Sequence, residues 1–171
     1  MKKVVLTVFT IVAFILSAAA DNVANKTVSV QGRARIITPI TLANTDAQAL
    51  DFGIIAKGTT DATVIVSATA SITARVLDGD AVVLSSATQT AAKFTVGGES
   101  GKTYTITIPT ETQTITSGSN SLNITNFTCS NGATGTIGTN NDFYVGGTLS
   151  VPHTAIAASY SGTFSVTVNY N

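Results

Sequence analysis

The side chains able to do chemistry are few and scattered. There is one histidine, His153, and one cysteine, Cys129. His153 follows Pro152 in a loop-like stretch, and no Gly-x-Ser-x-Gly pattern offers a serine for it to activate. A catalytic triad would rest on one unplaced imidazole, so no enzyme is expected. Paired carboxylates could hydrolyse a glycoside, but the nine acids are spread along the chain. Asp78 and Asp80 flank Gly79, where turn formation accounts for them. Zinc needs clustered Cys and His, and calcium needs six or more oxygens, so no metal and no cofactor is expected. No glycine-rich loop opens a helix, which leaves nucleotide binding without support. Cys129 is open to three readings: a reactive thiol, an intermolecular bridge, or a small buried side chain in the strand around Phe127. Asn25-Lys26-Thr27, Asn123-Ile124-Thr125 and Asn126-Phe127-Thr128 match the glycosylation pattern, as chance provides in so Asn/Thr-rich a chain.

The elements that would hold these residues begin with a leader. Met1-Lys2-Lys3, an apolar run of 13 residues over 4–16, and Ala18-Ala19-Ala20 read as a secretory signal peptide cleaved after Ala20. The run is short of the ~20 residues a spanning helix needs, and no later segment reaches that length. Without the leader, seven basic residues face nine acidic ones. That balance disfavours nucleic acid as a partner. An exported chain with one cysteine has no internal disulfide, so its stability must come from core and sheet.

Past the leader, Thr is the commonest residue, Val, Ile and Gly are plentiful, Trp is absent, and no ten-residue window has a helical period. Residues 25–37 alternate, with Val28, Val30, Gly32, Ala34 and Ile36 on one face, until Pro39. They read either as a long first strand or as a projecting arm followed by one. Further strands are expected at 50–55, 63–68, 72–77, 81–84, 92–96, 103–108, 112–116, 122–128 and 143–151. Asp78-Gly79 reads as a two-residue hairpin turn into 81–84. Phe127 is out of phase with Leu122 and Ile124, and a bulge near Thr125 and Asn126 would restore its inward aim. Gly146-Gly147 lies inside a strand. Residues 132–141 and 153–159 read as loops. The final strand begins near Tyr160, and Phe164, Val166, Val168 and Tyr170 share its apolar face. Nine or ten short strands at this spacing predict an all-β antiparallel sandwich.

Strand chemistry is then what remains. A sheet edge shows unpaired N–H and C=O groups that an extended segment of another molecule can satisfy. The segment 21–37 and the C-terminal strand are both suited to this. The plainer reading is that both pair within their own domain.

At these residues the chain resembles a known group. Tyr170 as penultimate residue, the alternating Phe164, Val166 and Val168 before it, and Gly162 upstream resemble the C-terminal motif of chaperone–usher pilus subunits. Leu50-Asp51-Phe52-Gly53 and Gly146-Gly147-Thr148-Leu149-Ser150-Val151 resemble secreted proteins of Gram-negative bacteria related to spore coat protein U and Csu-type fimbrial subunits, a group that includes a large uncharacterised domain family. The resemblance implies an incomplete immunoglobulin-like sandwich over 38–171, completed by a donated strand. It implies a periplasmic chaperone and an usher as partners, and then self-association into a surface fibre for adhesion or biofilm. By position, Gly162, Phe164, Val166, Val168 and Tyr170 would border the acceptor groove. Val28, Val30, Gly32, Ala34 and Ile36 would be donor residues. The alternative is a self-complete surface sandwich that binds glycan or a protein through 132–141 and 153–159, with Tyr144 and Tyr160 as its aromatics.

Overall fold

A computed structural model describes residues 26–71, 75–84, 88–139 and 141–171. The leader expected over 1–20, the start of the segment expected to donate a strand (21–25), the first residues of the strand expected at 72–77, and one residue of the 132–141 loop lie outside these. The chain divides into two compact units, Met1–Arg35 and Ile36–Asn171.

In the first unit, residues 26–35 form no strand, and Val28, Val30, Gly32 and Ala34 are all exposed. Of the two readings of 25–37, the long first strand is therefore absent from the described part. Alternation supplies an apolar face, but a strand also needs a neighbour to bond to, and none of the ladders includes these residues.

The second unit is an all-β antiparallel sandwich. Its strands are β1 (Thr41–Asn44), β2 (Ile55–Ala56), β3 (Ala62–Val66), β4 (Arg75–Asp78), β5 (Val82–Val83), β6 (Ala92–Gly97), β7 (Thr103–Thr107), β8 (Gln113–Ser117), β9 (Asn120–Cys129), β10 (Thr134–Thr136), β11 (Asp142–Val151) and β12 (Thr167–Tyr170). The one helical feature among the described residues is a single turn, Thr45–Ala47. Every ladder is antiparallel. The largest sheet runs β1-β6-β11-β3-β4, with β9 on the other edge of β11 and β8 beyond it. A three-stranded sheet runs β10-β7-β12, and β2 and β5 form a small ribbon.

β11 is the centre. Val145 pairs with Ala92 of β6 on one side and Cys129 of β9 on the other. Past it, the first side passes from β6 to β3. Gly146 lies at that handover, and a Cβ there would stand 2.2 Å from the Val66 carbonyl oxygen. Two apolar clusters flank the centre. One gathers Phe52, Val64, Val66, Leu122, Ile124, Leu149 and Val151. The other gathers Val96, Tyr104, Ile106, Ile137, Phe143, Val145 and Val168, with Phe94 stacked on Phe143 at 5.3 Å.

The bulge on β9 is present. Gly146 faces Thr128 and Thr148 faces Thr125, so β9 carries one extra residue, and Asn126 takes φ 49°. Phe127 then turns back toward the core and packs on Phe164, ring centres 5.1 Å apart.

Several expected elements are corrected. Residues 50–55 are not one strand: the Gly53 N–H bonds Asp51 Oδ1 at 2.7 Å, Gly53 takes φ 77°, and the chain breaks there. Asp78-Gly79 is not a hairpin turn. β4 pairs with β3 and β5 with β2, so the segment carries the chain between sheets, with Gly79 at φ 82° packed on Asp61 and Ala62. The 132–141 loop contains β10, which β7 recruits. The last strand starts at Thr167, not near Tyr160. Ser161 bonds Thr116 of β8, Gly162 packs on Thr114 and Ile115, and the chain then crosses to β7 with no strand assigned over 162–166.

Candidate functional site

The side chains singled out for chemistry serve the scaffold. Asp61 Oδ1 lies 2.7 Å from His153 Nδ1 and accepts the His153 N–H at 2.9 Å. Lys57 donates to the carbonyls of His153 and Ala155 at 3.0 and 2.8 Å. Together these pin the loop after β11. The His153 backbone N–H, and then its ring, hold the Asp61 carboxyl below the usual carboxylate range. Asp80 accepts four bonds of 2.7–2.9 Å from the N–H and O–H groups of Thr59 and Thr60, and these push its carboxyl far down. Asp78 accepts from the Gly79 N–H at 2.9 Å. Cys129 is half-buried on β9, and burial pushes its thiol up, away from the reactive thiolate. Among the described residues no three His, Cys, Asp or Glu side chains gather as a metal site. No described helix is long and apolar enough to cross a membrane.

The chemistry the molecule does display is at the edge of β12. Its register pairs Thr167 with Thr107 and Asn169 with Thr105, and the Asn171 N–H bonds the Thr103 carbonyl at 3.2 Å. In an antiparallel ladder alternate residues bond to one side. Thr167, Asn169 and Asn171 therefore turn their backbone groups toward β7. Val168 and Tyr170 turn theirs the other way, where β12 has no strand neighbour among the described residues.

Apolar side chains run along this edge. Val168 is buried, and Phe164, Val166 and Tyr170 are half-buried on the same face, with the residues between them exposed. The face expected from alternation is thus present, although only its second half is paired. Gly162 occupies a close approach: a Cβ there would be 2.8 Å from the Thr114 carbonyl oxygen. A hollow of ≈ 400 Å³ opens beside Phe164, lined in part by Ile108, Pro109 and Thr163. β1 ends the large sheet near β12. Its half-buried Leu42, and Ile40 just before it, pack on the same cluster as Phe164, Val166 and Tyr170.

The far end is closed by the Tyr170 hydroxyl. It accepts the Glu99 N–H at 2.7 Å and donates to the Thr38 carbonyl at 2.8 Å. Glu99 Oε2 in turn lies 3.5 Å from the Thr38 N and 3.4 Å from its Oγ1. Sequence reading missed Ile40, Leu42, Ile108, Gly98 and Glu99. Alternation of Ile40 and Leu42 across Thr41, directly after Pro39, was the available signal for the first two. Ile108 was legible as an apolar position of the strand expected at 103–108 and Gly98 as the end of a strand, but the places of Ile108 beside Phe164 and of Gly98 and Glu99 beside Tyr170 come from contacts distant in the chain. Of the other candidates, Val28, Val30, Gly32 and Ala34 lie in the first unit, and Ile36 begins the second, 97% exposed. Of the two aromatics assigned to the loops, Tyr160 donates its hydroxyl to the Ile156 carbonyl at 2.9 Å, and Tyr144 is half-buried within β11.

No curated protein and no solved structure matches the chain. One family model does, over residues 40–170, from just before β1 to the end of β12. The match spans the strands that build both clusters and the open edge, and by it the chain belongs to the family described as Domain of unknown function (DUF4402).

Proposed function

We propose that this protein is an exported structural subunit that assembles into a surface fibre by β-strand complementation. The observation that carries the reading is the open edge of β12. Val168 and Tyr170 offer backbone donors and acceptors there, above a half-buried apolar stripe. A strand from a second copy would satisfy those groups and cover the stripe in one step. The same chain carries a segment of matching type. Val28 and Val30 are 82% and 86% exposed, alternate with polar residues, and belong to no ladder. Fully burying such a side chain contributes about 1.5–3 kcal/mol, which works with the new ladder bonds against the roughly 1–2 kcal/mol lost on ordering each residue of the strand. Gly32 fits the reading as a position where donor and acceptor backbones approach closely. Before assembly, a periplasmic chaperone would cover the edge and an usher would pass subunits outward. The leader-like sequence over 1–20 and the likeness to Csu-type subunits support that setting.

The test is the size of mature protein expressed in the periplasm, by gel with and without boiling and by electron microscopy. The expected result is a ladder that collapses on heating, and its loss in Val30→Asp. Val30 is exposed, so this substitution leaves the sandwich itself unchanged. A single monomer band that melts cooperatively, and is unaffected by deletion of residues 21–30, would overturn the proposal. It would favour the self-complete module binding through its loops.

A further inference from the structure

We infer that Tyr170 is a two-ended positioning residue, coupling occupancy of the β12 edge to the root of the chain's own N-terminal segment at Thr38. This rests on the reading of β12 as an acceptor edge. The backbone of Tyr170 faces that edge, so a strand laid along β12 bonds this residue directly. The other end of the same residue is the hydroxyl, which holds two groups from distant parts of the chain. It accepts from the Glu99 N–H at 2.7 Å and donates to the Thr38 carbonyl at 2.8 Å. Both functions of the hydroxyl are used, and phenylalanine can supply neither.

The turn that receives it is shaped for the purpose. Gly98 takes φ 150°, and a Cβ there would stand 2.3 Å from the Tyr170 hydroxyl and 2.9 Å from Ile137 Cδ1. Any side chain at 98 would displace the hydroxyl or the turn. The Glu99 carboxylate, next to the amide that Tyr170 accepts, approaches the N–H and Oγ1 of Thr38. Thr38 is therefore held from two sides by one turn and one tyrosine. Pro39 follows at once and fixes the backbone on the other side. With no strand beyond it among the described residues, the end of β12 has ladder bonds to β7 on one side only. Pairing its second side lowers its fraying, steadies the tyrosine ring, and so steadies Thr38. Filling the edge of one subunit thus orders the base from which its own segment reaches the next.

The test uses the mature chain carrying Val30→Asp, so that its own segment does not dock, and a synthetic peptide of residues 26–36 as the probe. Peptide binding is followed by fluorescence polarisation. Exchange of the Thr38 and Glu99 amide protons is followed by NMR. Saturating peptide is expected to slow both amides at least fivefold. When Tyr170→Phe is added, the peptide should still bind, because edge and ring remain, but the slowing should vanish. Gly98→Ala should behave like Tyr170→Phe. Binding without slowing, or equal slowing with and without the hydroxyl, overturns the coupling and leaves the acceptor edge standing. No peptide binding at all overturns the proposed function, and the coupling with it.

Discussion

β11 and β12 are written in the same alphabet and end in different states. β11 alternates Phe143, Val145, Leu149 and Val151 with smaller or polar residues, and β12 with its approach alternates Phe164, Val166, Val168 and Tyr170. In β11 all four of the large apolar residues are buried, because strands bond both of its edges and side chains cover its faces. Along β12 only Val168 reaches that state. The difference is one neighbour, which β12 does not have among the described residues. Alternation decides which face of a strand is apolar, whereas the number of bonded edges is decided by where distant strands lie. The glycines agree. Gly146 lets β11 pass against the β3 backbone, and Gly162 lets the approach to β12 cross β8 without joining it.

The contrast can be broken most forcefully in β11. Phe143 is fully buried and stacked on Phe94. Phe143→Ala should cost about 3–5 kcal/mol and lower the melting temperature by roughly 10 °C or more, by calorimetry of the monomeric Val30→Asp chain. Phe164→Ala removes a ring of the same size from the approach to β12. Phe164 is only half-buried, with Phe127 as its ring partner. The expected loss is about 1–1.5 kcal/mol in the same chain, while heat-sensitive multimers of the otherwise unaltered chain should fall at least tenfold on native gels. Equal melting losses at 143 and 164 would mean that the approach to β12 is part of the closed core, and the contrast would fail.

How much of this the sequence discloses follows the same division. Faces were legible: the stripe on β12, the inward side of β11, and the β9 bulge that returns Phe127 to the core all follow from period-two counting. Edges and partners were not. Asp78-Gly79 has the composition of a hairpin turn, yet β3 outcompetes β5 for β4. Residues 132–141 have the composition of a loop, yet Thr134, Gly135 and Thr136 pair with β7. Gly135 is accepted there because a side chain would strike the Tyr104 ring, with its Cβ 2.4 Å from that ring. The segment 25–37 reads either as one long strand or as a projecting arm before a strand, and residues 26–36 form no strand. The open edge itself, and the Thr38 root beside it, depend on which strands meet after folding, and no local window carries that.

The smallest expected effect separates the sandwich from its edge by acid. Asp80 stands between β4 and β5, where its carboxylate accepts both N–H and both O–H groups of Thr59 and Thr60. Gly58 leaves room for it, since a Cβ at 58 would fall 1.8 Å from Asp80 Oδ1. Its folded-state pKa is lowered from the ordinary 3.8 by those bonds, the Thr59 N–H first. A carboxyl with a depressed folded pKa contributes stability that is fully present above its unfolded value and is lost as pH falls below it. The melting temperature of the Val30→Asp monomer should therefore drop between pH 5 and pH 3. Asp80→Asn, which turns one of the two acceptor oxygens into a donor, should lower the value at pH 5 by a few degrees and flatten the drop. The effect is small because the carboxylate is in contact with water, which competes for the same bonds. β12 carries no carboxylate side chain, and the Glu99 carboxylate beside its end contacts Thr38 rather than the ladder edge. Multimers held at pH 3 should then loosen only as far as the sandwich does, and Asp80→Asn multimers should be less sensitive to the same shift. Multimers that dissociate at pH 3 while the monomer's melting curve stays unchanged would place the labile group at the edge instead.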